Sequence, residues 1–328
     1  MSKLRRVSAD SVAARKTSSS RGGAPTVSVI VCAYTEHRWQ ALLQSVESIV
    51  RQTYPVHETL VVVDHNPGLL KQAREKLPSA RVITNTGTPG LSGARNSGVA
   101  ASSGQIIAFL DDDAIAAPNW LAELVAAFSD PHVLGAGGVA TPRWDSGTPS
   151  WLPEEFYWTV GCSYRGLPSK TSPVRNPIGA NMSFRRSVLE RIDGFKDGLG
   201  RLGTTPLGCE ETELSIRAQN AYPGGVLLHV PTAVVEHNVT VERASWRYFR
   251  RRCWSEGLSK ARVIEAVGSR DGLSSERTYA LITLPTGFFR GLHDSLRGDP
   301  DGLRRSGAIV LGMLLTVSGY LRGRYARQ

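Results

Sequence analysis

The sequence predicts an open α/β fold: a mixed sheet with helices on both faces, followed by a basic, helical C-terminal tail. Three observations predict it. Apolar runs of strand length alternate with stretches of helical spacing from Val27 onward. The strands read as near-continuous Val/Ile/Leu runs, as in a parallel sheet covered on both faces. Strand-like runs stop at acidic residues, Asp64, Asp111 and Glu236, and open α/β sheets bind ligands beyond the carboxyl ends of their strands.

Residues 1–25, rich in Ser, Arg and Lys with no apolar period, read as a disordered basic arm. Val27 to Tyr34 is the first strand. Trp39 to Val50 carries helical spacing through Leu42, Leu43, Val46, Ile49 and Val50, and ends before Tyr54-Pro55. Glu58 to Val63 is a second strand, about Leu69 to Lys76 a helix, and Arg81 to Thr84 a short third strand. Right-handed crossovers are expected to join them. Gly90-Leu91-Ser92-Gly93-Ala94-Arg95-Asn96-Ser97-Gly98 opens the next helix. Its glycines permit close backbone approach, and its first turn offers amide donors to an anion. A helix start with small packing residues satisfies the same pattern.

Gln105 to Leu110 is a buried strand that runs into Asp111-Asp112-Asp113. Three adjacent carboxylates repel one another and need compensation. A hard divalent cation, Mg²⁺ or Mn²⁺, supplies it through oxygen ligands and phosphate; a solvated acidic turn is the other reading. Pro118-Asn119-Trp120 opens a helix through Phe128, and Val133 to Val139 is a glycine-interrupted strand. Residues 141–176 are irregular and aromatic, suited to stacking on sugars or to a lid that packs on itself. Asn176 to Phe184 reads as a small-residue strand, Arg185 to Ile192 as a short helix, and Gly200 to Gly208 as a mobile glycine-rich stretch.

The helix that begins at Glu210-Glu211-Thr212-Glu213 carries three acids in its first turn. Complementing the helix dipole explains them; so does a carboxylate that takes a proton from a hydroxyl. Leu227 to Val235 is a strand ending at Glu236-His237, which puts His237 either in a structural role or beside the proposed metal.

The charge of +10 is uneven: +5 over residues 1–26, +9 over 243–328, and −4 between. A basic tail on an acidic body suits a polyanionic surface. In the tail, Trp246 to Trp254 mixes rings with cations. Ser306 to Leu321 lacks charge and is bracketed by Arg304-Arg305 and by Arg322 and Arg324. It falls short of the roughly 20 apolar residues a span needs, so an interfacial or re-entrant helix fits, as does a packed one. The charge alone suits anionic lipid or nucleic acid; with the uncharged stretches Tyr279 to Phe289 and Ser306 to Leu321 beside it, an anionic membrane surface is the expected partner and nucleic acid is not. The four cysteines lack metal spacing, and no signal-peptide core opens the chain. A cytoplasmic protein, peripheral at the inner face of the cell membrane, is expected.

In order and spacing these motifs resemble the family 2 glycosyltransferases of the GT-A fold, over about Val27 to His237 and loosely to Val263. The resemblance rests on Val-Ser-Val-Ile-Val-x-Ala-Tyr, Val-Val-Val-Asp, Gly-x-x-x-Ala-Arg-Asn-x-Gly, Phe-Leu-Asp-Asp-Asp-Ala and Glu-Glu-Thr-Glu-Leu, in that sequence. It implies inverting transfer from a nucleotide-diphosphate sugar to a hydroxyl of a glycan or lipid-linked acceptor. It further implies a nucleotide-binding half over 26–115, an acceptor half over 116–240 and a tail over 241–328. By position Tyr34 and Glu36 would lie around the base and ribose, Ala33 in the nucleotide-sugar site, Asp64 would accept from the base, and Arg95 would lie near the diphosphate or a bridging carboxylate. Asp111 and Asp112 would belong to the nucleotide-sugar site. Asp113, with Asp111 and His237, would hold the divalent metal, and Glu211 or Glu210 would be the base. Two positions depart from the pattern: His65 stands where a second Asp is usual, and Glu211 where the catalytic Asp is.

A sugar-phosphate nucleotidyltransferase shares the open sheet and metal carboxylates, but would carry a glycine-rich basic loop after the first strand. Ala33 to Arg38 holds no glycine. An inactive membrane- or glycan-binding scaffold on the same fold is the non-enzymatic rival.

Overall fold

The computed structural model describes residues 23–198, 208–267 and 278–325. Most of the expected basic arm and of the glycine-rich stretch before Gly208 lies outside the described residues.

The first half follows the expected alternation: β1 (Val27–Ala33), α1 (Trp39–Val50), β2 (Glu58–Val63), α2 (Pro67–Lys76), β3 (Arg81–Thr84), α3 (Leu91–Ala101) and β4 (Ile106–Asp111). β1 pairs in parallel with both β2 and β4, and β2 with β3. Asn66 caps α2 by accepting from the Leu69 N–H, with Pro67 in the first turn.

The second half departs from the sequence reading in instructive places. A three-residue strand, β5 (Ala114–Ala116), follows the acidic triplet, and then come α4 (Trp120–Ala127) and β6 (Val133–Trp144). β6 runs five residues past the expected Val139, because a register shift at Gly138/Val139 lets it keep pairing with β9 (Val226–Val239). The expected strand from Asn176 is shorter: β8 spans Asn181–Arg185, after the minor strand β7 (Ser172–Val174). The short helix α5 (Arg186–Arg191) and the acidic helix α6 (Glu210–Ala221) complete the domain.

Among the described residues nine strands form one sheet, in the order β3-β2-β1-β4-β8-β6-β9-β5, with β7 on the free half of β9. Two apolar layers cover it. Leu42, Val46 and Ile49 of α1, Leu69 of α2 and Trp120 of α4 pack with Val29, Val31 and Val61 on one face. Ala94 of α3, Leu189 of α5 and Leu214 of α6 pack with Ile30, Val62 and Phe109 on the other. The alternation of Val29 and Val31 against Ile30 is the two-residue period of a strand buried on both sides.

The tail is helical and packed on the domain: α7 (Trp246–Val267), a π turn at Tyr279–Thr283 leading into α8 (Leu284–Leu296), and α9 (Asp301–Tyr325). The aromatic segment 141–176 does not pack chiefly on itself. Trp151 stacks on Trp246 at 3.9 Å between ring centres, Phe156 meets Phe249, and Trp158 Nε1 donates to Tyr279 Oη at 2.9 Å. A third core cluster, from Leu152 and Phe156 to Phe249, Leu284 and Ile309, joins that segment to the tail.

Candidate active site

The sheet's topology brings the separate acidic motifs together. β4 ends at Asp111, and β5 turns back antiparallel to β9 with Ala114 opposite His237. That pairing carries His237, which lies inside β9 and not at its end, to the acidic triplet. The Asn238 N–H donates to the Asp113 carbonyl at 2.8 Å and locks the register. His237 Nε2 lies 3.2 Å from Asp113 and 3.8 Å from Asp111. One ligand atom from each of the three falls within 4.8 Å of the others. Two carboxylates and an imidazole are a donor set for a hard or borderline divalent ion. A buried Asp112 Oδ2 with no hydrogen-bond partner among the described residues lies beside them, so this group of residues fits a bound cation and its phosphate ligand.

Cations missed in the sequence reading balance the triplet. Arg38 reaches Asp112 at 2.8 Å and Asp113 at 3.1 Å, and Arg243 reaches Asp113 at 3.5 Å. Burial works against charge on Asp113, but His237, Arg243 and Arg38 hold it well below the usual carboxylate range. Burial pushes Asp112 the other way, up to about 6, with its acidic neighbours adding to the push. Gly161, at φ +84°, lies against the His237 ring: a Cβ there would sit 3.1 Å from Cε1. Arg38 had a signal, being the first cation after β1; Arg243 and Gly161 had none, because only the fold brings them to the triplet.

Arg95 joins this cluster to the acidic helix. It is 2% exposed, and its guanidinium pairs with Glu210 at 3.0 Å and Asp111 at 3.6 Å while donating to the Gly179 carbonyl at 3.2 Å. The rings of Phe109 and Phe195 lie 5.9 and 5.2 Å from it. One cleft therefore holds both acidic clusters. The two glutamates differ by environment: Glu210 spends its charge on Arg95, whereas the Glu211 carboxylate accepts from Thr212 Oγ1 at 3.4 Å. Burial, and then the charge of Glu210, push the Glu211 carboxyl up to about 8.

α7 holds the start of α6 in place. Cys209, at φ +72°, offers no side-chain cap, and its Sγ donates to Glu256 at 3.4 Å. The Gly208 N–H donates to Ser259 Oγ at 3.1 Å. Glu256 in turn takes Arg252 at 2.9 Å and Lys260 at 3.6 Å.

The cleft is a cavity of about 1260 Å³. Ala33, Tyr34, Asp64, Arg95, Asp111, Asp112, Asp113, His237, Glu210 and Glu211 line it. Glu36 does not: it accepts from Asn66 Nδ2 at 2.8 Å outside the lining. Asp64 is partly used by the protein, accepting from Asn85 Nδ2 at 2.7 Å and the Gly90 N–H at 2.9 Å, with His65 Nδ1 at 2.9 Å.

Comparison with known proteins agrees with this geometry. The profile of "Glycosyl transferase family 2" matches residues 28–193. The chain is 32% identical over 238 residues to the glucosyl-dolichyl phosphate glucuronosyltransferase of Haloferax volcanii, covering 71% of this chain and 76% of that protein. Among solved structures it is similar to the mannosyltransferase PcManGT of Pyrobaculum calidifontis, described in complex with GDP-Man and Mn²⁺. The TM-score is 0.56 at 17% identity, over 93% of this chain and 88% of that one. It is also similar to GalNAc-T7, described with UDP, GalNAc and Mn²⁺. There the TM-score is 0.52 at 19% identity, over 78% of this chain and about half (53%) of the other. A profile match over half the chain and a relative alike over most of both lengths lead to one conclusion: the chain belongs to glycosyl transferase family 2, as a glycosyltransferase of the GT-A fold.

Proposed function

We propose that this glycosyltransferase moves a sugar from a nucleotide-diphosphate donor to a hydroxyl of a glycan or lipid-linked acceptor, with inversion and with a divalent metal, Mn²⁺ or Mg²⁺. The observation that carries the reading is Arg95, which ties the triplet that would hold the diphosphate end to the helix that would hold the base. Donor binding belongs to residues 26–115, and the acceptor to 116–240 and the tail. Asp111, Asp113 and His237 would hold the metal, which supplies neutralisation of charge developing on the leaving diphosphate. Arg38 and Arg243, beside Asp113, supply further positive charge at that end. Glu211 accepts the proton of the acceptor hydroxyl. The acceptor oxygen then bonds to the anomeric carbon as the carbon–oxygen bond to the diphosphate breaks, and that electron pair leaves with the nucleotide. A single displacement of this kind inverts the anomeric centre.

The Haloferax relative is named for a lipid-phosphate substrate, and α9 is long and apolar enough to cross a membrane by length and composition. Both support an active site working at a membrane, which we assign to the cytoplasmic face. The test is a screen of nucleotide sugars for Mn²⁺-dependent thermal stabilisation, followed by turnover with the donor it finds. Stabilisation that disappears in Asp113→Asn, with release of nucleoside diphosphate, is the expected result. Release of pyrophosphate would transfer the case to the nucleotidyltransferases. Metal-dependent binding unchanged in Asp113→Asn would favour an inactive scaffold.

A further inference from the structure

α9 is packed inside out for a helix in water. Its covered face consists of Gly302, Ser306, Ala308, Ile309, Gly312 and Gly319. Its outward stripe is Leu303, Val310, Leu314, Val317 and Leu321, recurring every three to seven residues, with Leu314 and Val317 at 55% and 50% exposure. The small residues let backbones touch. A Cβ on Gly257 of α7 would enter the Thr316 carbonyl, one on Gly319 the Trp254 carbonyl, and one on Gly291 of α8 would lie 2.6 Å from the Gly302 carbonyl. α8 repeats the scheme, with Gly287 and Gly291 buried while Phe289 is 65% exposed. Helices in water bury their large apolar side chains; close contact through small residues, with large ones outside, is how helices pack when hydrocarbon surrounds them. Arg304 and Arg305 at one end of α9, and Arg322 and Arg324 at the other, suit anionic headgroups along a helix lying in the interface.

The active-site cavity reaches this helix. Met313 and Val317 line the cavity and also belong to the exposed apolar surface, with Thr316 and Tyr320 beside them on the wall. Arg252 of α7 lies against Gly208, three residues from Glu211. Arg252 and Lys260 also line the cavity. The wall thus carries an apolar stretch, Arg252 and Lys260 with their shared partner Glu256, and the proposed base.

We propose that this succession reads a sugar linked through phosphate to a lipid: the lipid chain enters from the bilayer between Met313 and Val317, the phosphate meets Arg252 and Lys260, and the sugar hydroxyl reaches Glu211. The proposal rests on the transferase reading of Glu211 and names its acceptor class. Its test uses the full chain and a C20 isoprenyl monophosphate in neutral micelles, with the matching alcohol as control, followed by tryptophan fluorescence. Trp158 lines the cavity with its ring 5.6 Å from the Arg252 guanidinium. The phosphate is expected to bind at least tenfold tighter than the alcohol. Val317→Glu should weaken that binding at least tenfold, and Lys260→Gln, which spares the Arg252–Glu256 pair, should reduce the preference for phosphate at least threefold. Leu303→Glu, on the same stripe but outside the cavity, should weaken phosphate and alcohol alike and leave their ratio as in the parent. Equal binding of phosphate and alcohol, or parental binding by Val317→Glu, overturns the proposal. Stabilisation by uridine or guanosine diphosphate with Mn²⁺, measured on the same samples, separates the two readings. Its absence in the parent chain counts against the transferase reading, and its presence without phosphate preference counts against the acceptor class alone.

Discussion

Two adjacent glutamates at the start of α6 show how environment divides labour between identical groups. Glu210 is fixed to a buried guanidinium, and Glu211 faces the cavity with its carboxyl pushed up to about 8 by burial and by Glu210. A base must be deprotonated to act, so transfer should rise as pH increases through about 8 and be suppressed below it; a rate–pH profile under saturating donor checks this. Glu211→Gln should lower the rate roughly 10²–10⁴-fold. The same substitution should not weaken the fold. A carboxyl raised from 4.5 to about 8 binds its proton in the native state, so the parent loses stability as pH rises across that window. Glu211→Gln removes that slope, which melting temperatures between pH 5 and about 9 would reveal. Glu210→Gln leaves Arg95 without its closest partner, a change of the kind that costs about 3–5 kcal/mol at buried pairs. Denaturant melts should rank it far less stable than Glu211→Gln. The sequence could nominate both glutamates from the resemblance, but not choose between them, because the choice depends on Arg95, more than a hundred positions away.

The elements most legible in the sequence were those whose signal is local. α1 and β3 fall on the expected residues because helical and strand periods need no distant partner to be seen. β5 was illegible: three residues show no period, and its reason for being a strand is β9, more than a hundred residues on. The extension of β6 and the internal position of His237 belong to the same pairing. The apolar run in α9 was visible, but not which side faces inward, since that is decided by glycines on α7 and α9 meeting across the contact. Gly319→Leu tests this arrangement, because its side chain must displace the Trp254 backbone. It should destabilise by about 1–3 kcal/mol in chemical unfolding. Leu314→Ala, on the outward side of the same helix, should change stability by less than about 0.5 kcal/mol.

At the scale of the molecule, the tail is at once a third core and a charged, apolar outer surface. Trp151 on Trp246, Phe156 on Phe249 and Trp158 on Tyr279 seal the aromatic segment against α7 and the start of α8. Deleting residues 278–328 would uncover Leu152, Phe156 and Phe249 together, so the shortened chain should aggregate or melt early in a thermal scan and cannot serve as a membrane-free control. Salt makes the cleaner separation. The +9 charge on residues 243–328 is attracted to anionic lipid over a Debye length of about 8 Å at physiological ionic strength, falling to about 3 Å at 1 M. The outward leucines and valines of α9 gain from burial in the acyl boundary whatever the salt. Flotation with anionic vesicles should therefore weaken between about 0.1 and 1 M NaCl without vanishing, whereas Leu314→Glu should float at low salt and be released at high salt. Complete release of the parent chain at high salt would mean that arginines alone hold it and that the inside-out packing of α9 serves the protein's own fold.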